Sequence, residues 1–206
     1  MPAMRIFASA ISFCLILAIP SFGMAANSDS SAPKPVIAAE PGPLAPDDSQ
    51  LASLFGKLSR ERNSEQAKTL ADQIRGLQAQ SGSATIDMLI GNADKAVSEQ
   101  RYGAALDFLD QVTLLAPDFA DGWNRRATVH YLMGNFPKAM ADTAHVLALD
   151  AHHLNALSAL ANMLEDSGRD AQALQAWQAY LKLYPADQDA QKESLELIDK
   201  LVGQKT

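Results

Sequence analysis

Cysteine is almost absent from this chain: its 206 residues include a single one, Cys14. Cys14 lies in an N-terminal apolar stretch that we expect to be removed, and Phe13 precedes it where a lipoprotein would carry a small residue. The remaining protein would then lack disulfides, thiolate nucleophiles and cysteine-ligated metals. Aromatic residues make up only 6%, while alanine and leucine dominate, and this composition favours helices.

Basic residues are also scarce, since 17 Lys and Arg are outnumbered by 24 Asp and Glu. Loss of Arg5 with the N-terminal segment would leave 16 basic residues and a net charge of −8. Nucleic acids and anionic membrane surfaces attract proteins that present a positive surface. The charge therefore argues against both as partners.

The main apolar run is too short to span a bilayer. Residues 6–19 form a stretch of 14 uncharged residues, whereas a transmembrane helix needs about 20. Arg5 precedes the run, Pro20 ends it, and small residues follow up to Ala26. This pattern is typical of a secretory signal peptide, which we predict over residues 1–26. The mature protein is then expected to be periplasmic or secreted, without stable membrane insertion; an uncleaved membrane anchor is the alternative.

The next segment, residues 27–48, contains five prolines among alanine, serine and glycine. Such a composition buries too little apolar surface to offset chain entropy, so we predict a disordered linker. From Leu51 onward the spacing of apolar residues is helical, with Leu54, Phe55 and Leu58 following at i+3, i+4 and i+7. No segment alternates with a period of two over a useful length. The sequence therefore predicts an all-α fold.

Self-similarity with a period of 34 residues organises the helical part. Cutting the chain at Ile86, Ala120 and Leu154 aligns three blocks without a gap. Small residues then recur at the eighth and twentieth places of each block, where they allow two paired helices to approach closely: Ala93, Ala127 and Ala161, then Ala105, Ala139 and Ala173. Gly134 and Gly168 fall at the fifteenth place, which suits a turn with left-handed backbone between the two helices.

These blocks resemble the tetratricopeptide-repeat (TPR) family, whose unit of 34 residues is a helix–turn–helix. The match is strongest in residues 121–150, where the family's signature places hold Trp123, Ala127, Gly134, Phe136 and Ala139. The stretches 81–97 and 122–130 also resemble small signal-peptide-bearing TPR proteins of the Gram-negative envelope. The resemblance implies TPR repeats over residues 86–119, 120–153 and 154–187, a degenerate TPR-like helical pair over 49–85 and a capping helix over 188–202. Together these form an α-solenoid of about eight helices.

The resemblance also indicates which residues line the inner, concave surface of the array. These places carry five acids and no Lys or Arg, which departs from family members that grip a peptide's terminal carboxylate with basic residues. We therefore expect an acidic groove that binds a neutral or basic peptide, the alternative being a generally acidic surface without a site. The partner-binding candidates are Asp87, Asp94, Asp121, Asn124, Thr128, Tyr131, Asn155, Asn162 and Glu165.

Two adjacent arginines, Arg125 and Arg126, interrupt this pattern. Arg126 occupies the seventh place of its repeat, which is usually apolar. A partly buried guanidinium needs a partner, and Asn92 or a nearby acid are candidates. A structural ion pair is the favoured interpretation, and a ligand contact is the alternative.

The four histidines suggest a second class of function. His145, His152 and His153 could share a face with Asp142 in a metal site, but no H-E-x-x-H motif is present. His130 occupies the eleventh place of its repeat, and a core or half-buried structural histidine is the favoured interpretation there. The ends of a repeat helix would also favour a partly cationic imidazole at His152 and His153. No Gly-x-Ser-x-Gly motif and no phosphate-binding glycine-rich loop occur.

The sequence therefore predicts a non-catalytic scaffold or assembly factor of the periplasm that needs no cofactor and binds proteins or peptides. An envelope enzyme or metal-binding protein that uses the four histidines is the alternative. An oligomeric structural component is a third possibility.

Overall fold

The computed structural model describes residues 48–203. The predicted signal peptide, 1–26, and the predicted linker, apart from its last residue, lie outside these residues. The described part contains nine helices and no strand, which confirms the all-α fold: α1 Asp48–Leu58, α2 Ser64–Gln78, α3 Ala84–Ser98, α4 Tyr102–Leu115, α5 Ala120–Leu132, α6 Phe136–Leu149, α7 Leu154–Asp166, α8 Asp170–Leu183 and α9 Gln188–Gly203. None of these helices is long and apolar enough to cross a membrane.

Helices α3 to α8 form three successive pairs, one in each block of 34 residues. The two helices of a pair pack against each other, and neighbouring pairs join where α4 meets α5 and α6 meets α7. Helix α9 packs on α8 at the end of the array. This is the order of contacts expected of a solenoid, in which each repeat touches its neighbours.

Alanine brings the two helices of each pair into close contact. The alanines at the eighth and twentieth places are at most 3% exposed: Ala93, Ala105, Ala127, Ala139, Ala161 and Ala173. A methyl group is the largest side chain that fits where two helix backbones lie this close, because close-packed interiors tolerate extra volume poorly. The spacing of these alanines therefore sets how the helices of each repeat pair.

The turn inside each pair ends the first helix with one residue in the left-handed region. Gly134 and Gly168 have φ of 73° and 70°, as predicted, and Gln100 has φ of 57° at the equivalent place. After Gly134 the N–H of Asn135 donates to the carbonyl of His130 at 2.8 Å, which satisfies a carbonyl at the helix end. Glycine adopts this conformation without the steric cost that Gln100 bears.

The first two helices, α1 and α2, form a helical hairpin, which we call the α1–α2 hairpin. Its apolar side chains share a hydrophobic core with the third repeat and α9, far along the chain. Among the described residues, the two core clusters of the first repeat contain no residue of this hairpin. Instead of simply preceding the first repeat in a linear stack, the hairpin lies on the third.

The segment that joins the hairpin to α3 explains this placement. Residues 79–83 make the tail of the hairpin four residues longer than in a standard repeat. Gly82 within this segment has φ of 69°, a left-handed conformation that turns the chain. The longer connection therefore leads α2 away from the stacking position that a repeat of standard length would take.

Arg126 holds three helices together from its place on α5. Its guanidinium donates to both carboxylate oxygens of Asp142 on α6 at 2.8 and 2.7 Å, and to Asp110 and Thr113 on α4 at 2.9 and 3.0 Å. The guanidinium carbon also lies 4.5 Å from the centre of the Trp123 ring. Although burial opposes the charged form, the bond to Asp142 is the leading reason that the pKa of Arg126 is raised. This geometry is that of a structural ion pair, with acids rather than Asn92 as partners.

His153 caps the N-terminus of α7 from a buried position. It is 1% exposed, and its Nδ1 accepts the N–H of Ala156 at 3.3 Å, so that it caps the helix. Burial lowers the pKa of His153, although the carboxylates of Asp121 and Asp150 act in the opposite direction. The expectation of a cationic imidazole here was wrong, because His153 lies at the N-terminal end of a helix, where the backbone dipole disfavours positive charge, and because it is buried.

We expect Arg126→Leu to lower the free energy of unfolding by about 3 kcal/mol, since it leaves the buried Asp142 without a partner. Urea denaturation measures this change. The double variant Arg126→Leu/Asp142→Leu should recover most of the loss, because neither charge then remains buried. Full stability of Arg126→Leu together with lost partner binding would instead favour the ligand-contact interpretation.

Protonation of His153 should destabilise the fold in mild acid. Its pKa in the unfolded chain is about 6.5 and is lower in the folded chain, so the unfolded state binds more protons between the two values. The free energy of unfolding should therefore fall as pH drops below about 6.5, by at most about 1.4 kcal/mol per pH unit from this group. His153→Asn keeps a capping oxygen without titrating. Urea denaturation at several pH values should show a steeper decline for the parent chain; parallel curves would contradict this account.

Candidate functional site

The predicted partner-binding residues lie on the first helix of each repeat. Asp87 and Asp94 are on α3, and four candidates are on α5 and three on α7: Asp121, Asn124, Thr128 and Tyr131, then Asn155, Asn162 and Glu165. The structure does not present all of them to solvent. They divide into a buried, internally paired set and an open set.

Asp121 and Asn124 belong to the buried set, with exposures of 4% and 7%. One Asp121 oxygen accepts the Asn124 amide at 3.4 Å, and the other accepts the Nε–H of Arg125 at 2.6 Å. The Nε2 of His153 lies 3.9 Å from Asp121 across the junction of the second and third repeats. These two side chains therefore stabilise the fold and are not presented to a peptide.

Arg125 neutralises the acidic surface of the first two repeats. Its Nη1 donates to both carboxylate oxygens of Asp94 at 2.7 and 2.8 Å, and its Nε donates to Asp121. Although burial opposes the charged form, these two carboxylates raise the pKa of Arg125. The positions expected to line the concave surface contain no Lys or Arg, but Arg125, directly after one of them, supplies a basic side chain. The spacing of Asp121 and Arg125 at i and i+4 was the sequence signal for this pair.

Two other acidic positions are engaged by hydroxyl groups. Asp87 accepts a hydrogen bond from Ser81, in the segment before α3. Asp166 accepts one from the hydroxyl of Tyr131, which connects α5 to α7. This bond, followed by burial, raises the pKa of Tyr131. The ring of Tyr131 packs edge-on against Phe136 with centroids 5.6 Å apart, so the side chain has a fixed orientation.

An open surface remains along α5, α7 and α9. A cavity of about 120 Å³ lies between α5 and α7 and includes Thr128, Tyr131 and Asn162 in its wall. A second cavity, of about 280 Å³, includes Asn162 together with Ser158 and Glu193. Because Asn162 borders both, the two cavities form one surface, which we call the open groove. No Lys or Arg lines it among the described residues.

Negative charge is concentrated in the second cavity of the open groove, whose wall includes Asp187, Asp189 and Glu193. Glu165 lies one helical turn after Asn162 on α7, and burial together with the carboxylate of Glu193 raises the pKa of Glu165. Nearby Lys200 opposes this shift, but its ammonium group is 2.8 Å from the carboxylate of Asp170. A cation placed between Glu165 and Glu193 would relieve their repulsion.

Asn155 is occupied by the protein itself. The Nε–H of Arg75, on α2, donates to the Asn155 side-chain oxygen at 3.0 Å, and another N–H of Arg75 donates to the Tyr180 hydroxyl at 3.1 Å. Tyr180 in turn donates to Asp187 at 2.8 Å, and burial followed by this bond raises the pKa of Tyr180. One of the predicted ligand-binding amides thus already holds a basic side chain.

The four histidines occupy separate environments. His130 is buried, and burial lowers its pKa. The ring of His145 packs on Trp123 with centroids 4.2 Å apart, His152 lies beside the α1–α2 hairpin, and His153 caps α7. Between residues 48 and 203 no group of three or more His, Cys, Asp or Glu is placed to hold a metal ion. The four histidines are therefore not gathered into one site.

Comparison with solved structures gives the same fold. The first TPR of Spaghetti (RPAP3), bound to the HSP90 peptide SRMEEVD, has a TM-score of 0.55 and 19% identity, covering 58% of this chain and 95% of that one. The Sgt2 TPR domain from Aspergillus fumigatus gives a TM-score of 0.55 at 18% identity, covering 60% and 83%. The TPR2B domain of yeast Sti1, in a complex with pHsp70, gives 0.53 at 16%, covering 57% and 99%.

Comparison of sequences shows the family. No family model matches the chain. A TPR repeat-containing protein of Rhizobium etli is 42% identical over 209 residues, an alignment that covers 100% of both chains. Together with three alanine-paired repeats in the structure, this similarity shows that the chain belongs to the TPR-repeat family.

Proposed function

We propose that this protein is a non-catalytic protein–protein interaction module, a scaffold or assembly factor, whose open groove binds a neutral or basic segment of a partner. The observation that carries the proposal is the open groove itself, where Asn162 borders both cavities and Glu193 supplies negative charge in the wall of the second. Glu165 adds to this charge from the following turn of α7, where it interacts electrostatically with Glu193. Amides and carboxylates of this kind can hydrogen-bond a peptide backbone and pair with Lys or Arg side chains. The proposed binding surface thus includes fewer residues than the acidic surface expected from the sequence.

The charge of the open groove bears on which peptides it can accept. The peptide bound to the first TPR of Spaghetti (RPAP3) contains the acidic run Glu-Glu-Val-Asp at its end. The wall of the open groove carries Glu193, and like charges at short range repel. We therefore propose that acidic peptides are rejected and basic ones accepted.

The proposed location is the periplasm or the cell exterior. The support is the charged N-terminus, the 14-residue apolar run and the small residues before Asn27. Fractionation of cells that express the full chain, with antibody detection and mass determination of the mature N-terminus, tests this location. A cytoplasmic protein that retains Met1 would contradict it.

Changing Glu165 should weaken binding of a basic peptide. We expect Glu165→Gln to lower the affinity for a twelve-residue Arg- and Lys-containing peptide about fivefold, equivalent to roughly 1 kcal/mol. Isothermal titration calorimetry at low and high salt measures the effect, since charge pairs weaken with salt. Asp107→Asn makes the same charge change on the exposed surface of α4 and should leave affinity unchanged. Equal losses in both variants would favour a general charge effect and contradict a site.

Binding should also depend on pH through Glu165. Because the pKa of Glu165 is raised, its carboxylate becomes protonated at a higher pH than an ordinary glutamate. Affinity for the basic peptide should therefore fall as pH drops through this raised pKa, and peptide binding should release protons below neutral pH. Calorimetry in buffers of different ionisation enthalpy measures the proton release. Proton release that persists in the Glu165→Gln variant would show that another group is responsible.

A further inference from the structure

The α1–α2 hairpin is packed onto the third repeat like a bound partner. Leu58, Ala67, Ala71 and Ile74 are fully buried, and their hydrophobic core includes Leu154, the first residue of α7. The opposite side of α2 is exposed to solvent. An amphipathic helix laid on an apolar surface is a common mode of peptide recognition.

Polar contacts give this docked hairpin a defined position. Arg75 donates to Asn155 and Tyr180, and the side-chain amide of Gln78 donates to Asp150 at 2.7 Å. The same amide lies 3.3 Å from the carbonyl of His152. These bonds join residues that are 72 to 105 positions apart in the chain. The hairpin therefore reaches the third repeat through specific side-chain bonds as well as apolar packing.

Arg75 has the chemistry that the groove is proposed to recognise. It is a basic side chain on an amphipathic helix, and it holds Asn155, a residue of the concave surface. A guanidinium offers five N–H donors in a fixed geometry, so it can serve an amide oxygen and a phenol at once. The hairpin thus supplies internally what an external ligand would bring.

The hairpin is tightly packed on one side only. A cavity of about 730 Å³ separates it from the connections between the repeats, with Leu51 and Phe55 of α1 on one wall and Leu115, Phe119 and Leu149 on the other. A cavity of this size means that α1 forfeits packing contacts with the residues on the far wall. The attachment of the hairpin therefore depends on the third repeat and on the end of the second, where Gln78 contacts Asp150 and His152, and release would leave the helix pairing within each repeat intact.

We propose that the α1–α2 hairpin is an internal ligand and that the partner of this protein is an amphipathic helix that presents Leu, Ile or Ala side chains and one arginine, and displaces the hairpin from the third repeat. This inference rests on the proposed function and names the partner class. A surface covered by a segment of the same chain binds a partner with an apparent affinity reduced by the fraction of molecules in which that surface is uncovered. The docked hairpin thus sets the threshold for partner binding.

A fluorescent peptide that spans residues 48–80 serves as the probe for this surface. We expect it to bind the full chain weakly, and to bind the Ile74→Ala variant about tenfold more tightly, because loss of buried methyl groups releases the internal hairpin. Lys68→Ala, on the exposed side of α2, should bind like the parent chain. Fluorescence anisotropy measures the affinity of the probe for the parent chain and for the two variants. If Ile74→Ala unfolds, Arg75→Gln removes only the guanidinium contacts and should shift affinity in the same direction.

A crosslink that holds the hairpin on the third repeat should prevent binding of the probe. In a Cys14→Ser background, Gln78→Cys and Asp150→Cys introduce two thiols, which a short bis-maleimide can join across the docked interface. The crosslinked chain should not bind the probe, and the uncrosslinked one should. Equal probe binding by the locked and unlocked chains would overturn the inference.

The two proposals fail in distinguishable ways. The basic peptide that tests the open groove reports on Glu165, whereas the hairpin probe reports on Asn155 and Leu154. If the basic peptide binds with its Glu165 dependence and the hairpin probe shows no response to Ile74→Ala or to crosslinking, only the internal-ligand inference is wrong. Conversion of Ile74→Ala to a dimer in light scattering, with the hairpins exchanged between copies, would also overturn it, since a second copy would then be the occupant.

Discussion

The close contact of alanines between paired helices is the constraint on which the rest of this structure depends. Ala127 and Ala139 form one of the three alanine pairs, and both side chains are almost fully excluded from solvent. Because the side chains at these places are so small, the two helices of a repeat approach closely. Each repeat therefore presents the same kind of surface, on which the next repeat packs. Three repetitions of this contact place α5 and α7 side by side, and the open groove is the surface that results.

Charge then decides which parts of this surface can bind a ligand. Arg125 pairs with the buried Asp121 and with the exposed Asp94. These pairs stabilise the junction of the first two repeats and remove its charge from the site. Toward α9 the balance changes, since burial and the negative charge of Glu193 raise the pKa of Glu165. The same acidic composition therefore stabilises one part of the array and leaves the other part open to a basic ligand.

The structural features that could be predicted from the sequence are those that depend on residues close together in the chain and that recur in each repeat. The alanine spacing gave the three repeats, and Gly134 has the left-handed backbone expected of its turn, because these requirements act between residues close in the chain. The pairing of Arg125 with Asp94 was missed, since the family's concave places do not include its position. The docking of Arg75 on Asn155 joins residues 80 positions apart, and no periodic pattern signals such a contact. His153 was misjudged because its burial arises only when the repeats pack.

The most direct test of this account is the position of the α1–α2 hairpin in solution. Nuclear Overhauser spectroscopy on the full chain, with selectively labelled aromatic side chains, can locate Phe55. The structure places its ring 5.7 Å from that of His152, centroid to centroid, and we expect cross-peaks between their ring protons. Cross-peaks from Phe55 to Ile86 or Leu89 of the first repeat, without any to His152, would show that the hairpin simply extends the array and would contradict the account.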